Sequence, residues 1–490
     1  KVEQEEEKDD KPVFMQVATT FSGHIPVVPT RTQSNTALAI RNRVLAEVTL
    51  PNNSTWASMQ HRFFENQYID YDLFEYEQDE EKAFNKWNSN FMPGRQKDHL
   101  RAWDNIRKEG IKNKHYYRKT FMKVEKLDKS TCNGLEDFNP RAISGTSHES
   151  NVLMGPFMTQ YSKQLAKQWN GNGRFFYTSG ATGLSTGAWM YDNFSEGDWI
   201  VEVDFSAYDS TQSKASYDFE RAVLERAGML DFPSVVEVFK HQRNMRGFTN
   251  DGIEYKLPYG RNSGDPNTSC GNSLLTAATT DYVLSKVFGE GDHKIKVMGD
   301  DNTSIVKSAH GNGRDVEETV EEIKKTFLLF GFVAKVKIHF DPCHAEFCSS
   351  AYWPAIVNNS ETYVMGPKPG RLLPKMGFVI KDLSPGEVKG MFEGYNTTCS
   401  HVPVLKEYVE HVLESMRKVK TKQYVDKEAK YKIGLSVGVQ MSTETPSFFS
   451  RRYGIDYRST IDSLKELLLD CRPDHMVYWP LLEAIRSVDA

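Results

Sequence analysis

The sequence predicts an α+β fold, and three observations carry that prediction. The middle of the chain reads in the order strand, helix, helix, hairpin, helix, strand. Two of its short apolar strands flank a tight acidic turn, Gly299-Asp300-Asp301-Asn302, which is hairpin chemistry. The C-terminal third, from about Glu387, is mostly helical in pattern.

Taken in order, helical patches fall at Trp56 to Gln67 and Ala83 to Asn88 among loops. Asp198 to Asp204 alternates as a strand that ends in an acid. A helix follows from about Ser213 to Ala227, with Gly228 as its stop. Asn262 to Asn267 is turn chemistry, and Thr268 to Phe288 is helical in composition. Lys294 to Met298 and Thr303 to Lys307 are the hairpin strands. Val316 to Phe330 is an amphipathic helix closed by Gly331, and Val333 to Phe340 is a further strand. Later helices are expected at Val402 to Lys418, Ser463 to Cys471 and Val477 to Val488.

With 490 residues and 39% hydrophobic content, the chain can bury a large core. Its 12% aromatic content argues for a globular protein over a disordered one. A net charge of −5 excludes the global signature of a nucleic-acid coat protein but allows a local basic channel. Six cysteines do not make a disulfide framework, so a reducing compartment is expected. Cys343, His344 and Cys348 offer only a Cys-x4-Cys spacing without a second pair, which is a poor zinc signal. No apolar run is long enough to span a membrane, and no signal peptide is visible. The acidic run Glu5-Glu6-Glu7-Lys8-Asp9-Asp10 after Lys1 reads as the solvated start of a processed or truncated segment.

Two features carry chemistry. Nucleotidyl transfer needs carboxylates on neighbouring rigid strands, because hard divalent ions take oxygen ligands and can stabilise both attacking and leaving oxygens. Asp204 at a strand end and Asp300 in the hairpin turn meet that need, with Asp301 beside them. Alone, such acids are ordinary turn formers. The second feature is the basic stretch of Lys112, Lys114, Arg118, Lys119, Lys123 and Lys126, interleaved with Tyr116, Tyr117 and Phe121. Charge runs usually mark solvated faces, and the tyrosines suit core packing as well as base stacking.

Order and spacing make these features specific. Asp204-Phe205-Ser206-Ala207-Tyr208-Asp209 resembles the Asp-x4-Asp first motif of viral RNA-dependent RNA polymerases. Ser263-Gly264-Asp265-Pro266-Asn267-Thr268-Ser269-Cys270-Gly271-Asn272 resembles the second, Ser-Gly-x3-Thr-x3-Asn. Gly299-Asp300-Asp301 is similar to the third, Gly331 to Ile338 to the lysine-bearing fourth, and Glu346 to Ser350 to the fifth. Upstream, Phe121 to Lys126 with Pro140-Arg141-Ala142-Ile143 resembles the motif that meets the incoming triphosphate. The six motifs stand in polymerase order from Phe121 to Pro354, or 234 residues. Their texture is closest to tombusvirus-like and nodavirus-like enzymes of positive-strand RNA viruses, although Ala207-Tyr208 departs from the Arg-Phe found in many of them.

The resemblance implies a right hand. Residues 1–194 would be an N-terminal region and fingers with an acidic tail at 1–12. Residues 195–354 would be an antiparallel-sheet palm with a fingers insertion at about 229–262, and 355–490 a mainly helical thumb. Residues near Thr19 to Arg43 would bridge fingers to thumb. It further implies Asp204, Asp300 and Asp301 as ligands of Mg²⁺ or Mn²⁺, with the Phe205 carbonyl completing one shell. Asp301 has a plainer alternative as a hairpin-stabilising acid. Asp209, Thr268 and Asn272 would read the ribose 2′-hydroxyl, and Lys123, Lys126, Arg141, Ser263 and Gly264 would hold the nucleotide. Lys335 or Lys337 would protonate the leaving pyrophosphate, Lys335 being preferred. Cys348 and Ser349 would support the primer strand.

Expected partners are template and product RNA, ribonucleoside triphosphates and other viral replication proteins. The expected place is the host cytoplasm, in a membrane-associated replication complex reached through a part outside this chain. A reverse transcriptase-like enzyme and a catalytically inactive RNA-binding palm protein are the rival readings. Gly299 and the Asp209–Asn272 pair speak against the first, and the retained acids against the second.

Overall fold

The computed structural model describes residues 15–23, 26–30, 32–123, 125–128, 139–380, 382–423 and 438–489; the acidic run at 5–10 lies outside them. Helices and largely antiparallel sheets are mixed along the chain, as an α+β fold requires. A central five-stranded sheet runs in the order Ala334–His339, Trp199–Phe205, Asp301–Val306, His293–Met298, Phe175–Tyr177. Its pairings are antiparallel except the last, where Phe175–Tyr177 lies parallel to His293–Met298. That strand precedes residue 195, so the sheet begins upstream of the boundary expected from sequence.

Alternation along Trp199–Phe205 explains the sheet's two faces. Trp199, Val201, Val203 and Phe205 join the main core, beneath helices Thr268–Phe288 and Val316–Leu328. Fully burying a Val or Phe there contributes about 1.5–3 kcal/mol. A one-residue slip would turn Asp204 into that core, so burial of one face sets the register of the acids on the other. Thr268–Phe288 is buried almost throughout, and Gly289, with φ of 84°, ends it. Asp315 caps Val316–Leu328 by accepting from the Glu318 amide.

A second sheet has the order Glu254–Pro258, Asn244–Phe248, Arg118–Met122, Ala142–Gly145. Two of these strands come from the segment expected as an insertion and two from the N-terminal region. The hairpin Ser350–Val357 with Ser360–Pro367 crosses residue 354 and packs on helix Gly183–Asn193. Beyond it, helices Pro385–Cys399, Leu405–Ser415, Thr445–Tyr453, Tyr457–Leu468 and Leu481–Asp489 surround a separate C-terminal core.

The N-terminal segment ties these regions together. Met15–Gln16 pairs with Phe378–Val379, Thr20–Phe21 with Met476–Val477, and Pro26–Val27 with Leu127–Asp128. The short strands at 15–16, 20–21 and 26–27 therefore pair with a strand just after Lys126 and with two places in the C-terminal part.

Candidate active site

The central sheet ends in acids. Met298 pairs with Asp301, which leaves Gly299 and Asp300 as a two-residue turn. Gly299 has φ of 66°, the conformation a hairpin of this length demands at its first central position. Asp300 is thereby the tip and Asp301 the first residue of the returning strand. Asn302 pairs with Val203, so Asp301 lies at the level of Asp204 on the neighbouring strand. Ser273, buried on helix Thr268–Phe288, accepts the Gly299 amide at 2.8 Å and props the turn from below.

All three carboxylates reach solvent at the mouth of the site, yet the protein around the hairpin desolvates two of them. Burial, reinforced by the charge of Asp204, raises Asp300 above the usual carboxylate range. Burial first, then the charges of Asp300 and Asp204, push Asp301 up to about 6. Among the described residues, no lysine or arginine forms an ion pair with any of the three. They are not gathered into a ready-made cage of three ligands among the described residues either. Mutually repelling carboxylates at an open sheet end fit Mg²⁺ or Mn²⁺, which complete their shells with waters and phosphate oxygens. Phe205 points its ring into the core, which leaves its backbone carbonyl as the group available to such an ion.

The turn after Asp204 brings in the second group. Ala207 adopts φ of 50°, an uncommon conformation for a residue with a Cβ, and the chain is held there from both sides. The Ser206 amide donates to the Val333 carbonyl at 3.0 Å. Tyr208 is buried against Phe205 and Phe332, and its oxygen accepts from the Thr276 hydroxyl at 3.0 Å. This aromatic anchor places Asp209, whose Oδ1 accepts from Nδ2 of Asn272 at 2.9 Å. Burial pushes Asp209 up to about 6 against the lowering effect of that bond. The Oδ1 of Asn272 is buried without a hydrogen-bond partner. Thr268 is turned elsewhere: its hydroxyl donates to the Asn262 carbonyl and shapes the loop.

That loop meets the second sheet. Ser263 Oγ accepts the Ser144 amide at 3.3 Å, and the Gly264 amide donates to the Ser144 carbonyl at 3.1 Å. A Cβ on Gly264 would come within 2.7 Å of that carbonyl, so only glycine permits the approach. Asp265 is buried in an ion pair with Arg118 at 2.6 Å and accepts from the Thr146 hydroxyl at 2.9 Å. Arg118 thus belongs to an internal brace and not to a solvated basic face. Tyr116 is likewise internal, stacked on His241 with ring centroids 3.6 Å apart.

Lys123 and Arg141 converge. The Lys123 amide donates to the Arg141 carbonyl at 2.7 Å, and both side chains reach Glu125, at 3.2 and 3.5 Å. Lys126 does not join them. Its ammonium donates to the carbonyls of Lys375, at 3.1 Å, and Phe378, and burial lowers it to about 8. The physical reason is the N-terminal link described above, which draws the chain after Lys126 toward the C-terminal part.

Register separates the two candidate lysines. Lys335 pairs with Asp204 and Lys337 with Glu202, so Lys335 stands beside the acids and Lys337 one step back. In the fifth motif, Phe347 pairs with Ser350 around Cys348 and Ser349, both at positive φ. This tight turn sets Cys348 against Asp301. Cys343 is instead buried in the C-terminal core, so the two cysteines serve different surroundings.

Two contributors escaped the sequence reading. Ser273 carries no motif signal beyond its place after Asn272. Arg43 lies far upstream and feels the charges of Arg141, Glu125 and Asp204.

Comparison with known proteins agrees with this geometry. A family model described as RNA dependent RNA polymerase matches residues 3–448. The chain is 25% identical over 345 residues to the RNA-directed RNA polymerase of tobacco necrosis virus (strain A), covering 65% of this chain and 44% of that protein. It is 28% identical over 261 residues to the RNA-directed RNA polymerase of cucumber necrosis virus, covering 51% and 30%. It is 31% identical over 146 residues to the replicase large subunit of pepper mild mottle virus (strain Spain), covering 28% and 9%. The chain spans less than half the length of these relatives. Since the family match runs through nearly all of its residues, this chain belongs to the RNA dependent RNA polymerase family.

Proposed function

We propose that this chain is the catalytic core that copies a viral RNA genome, adding ribonucleotides to an RNA 3′-hydroxyl on an RNA template. The observation that carries the reading is convergence: Asp204, Asp300 and Asp301 end one sheet, Asp209, held by Asn272, feels the charge of Asp300, and Asp300 in turn feels that of Arg141, which shares Glu125 with Lys123. A right hand is the matching architecture, with the central sheet as palm, the second sheet in the fingers and the C-terminal helices as thumb. Divalent ions held by Asp204 and Asp300, with Asp301 assisting, would stabilise the attacking and leaving oxygens of the transfer.

The chain's own groups supply the rest. Lys123 and Arg141 hold the triphosphate by charge-assisted hydrogen bonds. Asn272, held by Asp209, offers its unpaired Oδ1 as an acceptor to a 2′-hydroxyl, which a deoxyribose leaves unsatisfied. Lys335, exposed beside Asp204, gives a proton to the departing pyrophosphate. Cys348 and Ser349 form the turn on which the primer end rests. We place this work in the host cytoplasm with other viral replication proteins, at a membrane reached through another part of the replication machinery. Among the described residues no helix is long and apolar enough to cross one.

The test supplies the purified chain with an RNA primer-template, Mg²⁺ and ribo- or deoxyribonucleoside triphosphates. Template-dependent extension with ribonucleotides is expected, and Asp300→Asn should abolish it while RNA binding persists. Preferential use of deoxyribonucleotides, or normal extension by Asp300→Asn, would overturn the reading.

A further inference from the structure

Residues Ile40–Val44 form a single π-helical turn, closed by the Leu45 amide donating to the Ile40 carbonyl at 2.9 Å. Such widened turns are rare and concentrate where a side chain has a particular aim. This one is pinned by apolar contacts: Ile40 is buried, and with Val44 it packs on Met245, Tyr255 and Leu257 of the second sheet. The turn also touches Tyr208–Thr211, which carries Asp209, and strand Ala142–Gly145, which follows Arg141.

Arg43 projects from this turn, half-buried. Its Nε is enclosed without a hydrogen-bond partner, and among the described residues its guanidinium makes no ion pair. The charges it feels are those of Arg141, Glu125 and Asp204. Glu125 already serves Lys123 and Arg141, at 3.2 and 3.5 Å. Glu125 is therefore engaged by two cations, while Arg43 feels its charge without pairing with it. Burial first, then repulsion by Arg141, lower the guanidinium's hold on its proton. A desolvated cation facing another cation is costly unless an anion enters between them.

We propose that Arg43 is a third arm of the triphosphate site, delivered by the N-terminal segment to grip the phosphates of the incoming nucleotide together with Lys123 and Arg141. The inference rests on the polymerase reading for its substrate. Its chemistry is a planar fork of donors, which matches the geometry of phosphate oxygens.

The experiment uses the full chain and the variants Arg43→Ala and Arg43→Lys. Calorimetry with inorganic tripolyphosphate, without RNA, should show affinity reduced by about ten- to hundredfold in Arg43→Ala, the scale of charge-assisted bonds. Arg43→Lys should recover part of it by restoring charge without the fork. In single-nucleotide extension the KM for the triphosphate should rise by a similar factor, with kcat, RNA affinity and Tm little changed. Unchanged tripolyphosphate affinity and KM in Arg43→Ala would overturn the proposal. So would loss of RNA affinity with KM retained, which would assign Arg43 to the template backbone. If Arg43→Ala lowers Tm, Arg43→Lys decides, and wild-type affinity and KM in that variant count against the fork. Arg43-dependent tripolyphosphate binding by a chain that extends no RNA would uphold the phosphate site and sink the polymerase reading instead.

Discussion

Replacing Asn272 by alanine should relax the choice between ribose and deoxyribose. The Nδ2 of Asn272 donates to Asp209 at 2.9 Å, while its own Oδ1 is buried with no partner. The pair thus arrives with a spare acceptor, the Asn272 Oδ1, and no donor to meet it. A 2′-hydroxyl supplies the missing donor, and a deoxyribose supplies none. Truncation removes this acceptor and frees the Asp209 carboxyl from the bond that orients it. A hydrogen bond to a charged or strongly polarised group is worth about 1.5–3 kcal/mol. The preference for UTP over dUTP should therefore fall by about ten- to hundredfold, from that energy range. Asn272→Asp is the companion variant. It keeps an oxygen in place but loses the donor and sets a like charge beside Asp209, which should raise the Asp209 carboxyl beyond its present value of about 6. The assay is single-nucleotide incorporation on one primer-template, with the efficiency of each sugar measured separately and RNA affinity determined alongside. An unchanged UTP-to-dUTP ratio in Asn272→Ala, with folding and RNA binding intact, would refute the role.

Two further outcomes follow from register and burial. Lys335→Leu should slow addition at saturating nucleotide by about 10²- to 10⁴-fold, the usual range for general acid catalysis. Lys337→Leu, opposite Glu202 and not Asp204, should do far less, and equal effects would remove the reason for preferring Lys335. Lys126→Met should leave the KM for nucleotides unchanged. It removes the donor to the Lys375 and Phe378 carbonyls, at a cost of about 1–3 kcal/mol, read as faster amide hydrogen exchange at residues 375–379. A raised KM with unchanged exchange would return Lys126 to the triphosphate site.

Much of the site was legible because its chemistry is written in short segments. The helix Thr268–Phe288 falls at the predicted bounds, since apolar composition and the Asn262–Asn267 turn mark its start and Gly289 its end. The hairpin was legible, but its turn is shorter than the expected Gly299–Asn302: Asp301 and Asn302 join the returning strand and leave Gly299-Asp300 as the turn. The C-terminal helices were legible in kind but less so in extent. Val402 to Lys418 narrows to Leu405–Ser415, and the helix expected from Ser463 starts earlier, at Tyr457, where Asp456 caps it. Caps and packing set such ends more than periodicity does.

The basic residues divide differently. Lys123, Lys126, Arg118 and Arg141 look alike as charges in a row, yet each has a separate destination. Lys123 and Arg141 meet at Glu125, Arg118 is buried on Asp265, and Lys126 spends its ammonium on the C-terminal part. Arg43 feels the charge of Asp204 from a segment without any motif. A sequence displays which groups can ionise and which local periods can fold. It does not display partners across long chain separations, because those depend on how sheets and helices pack and on which charges that packing leaves dry. Asp204, Asp300 and Asp301 were therefore identifiable in the chain as written. Their mutual repulsion, the register that sets Lys335 opposite Asp204 and Lys337 opposite Glu202, and the turning of Lys126 away from Lys123 and Arg141 arose only when distant segments were brought together.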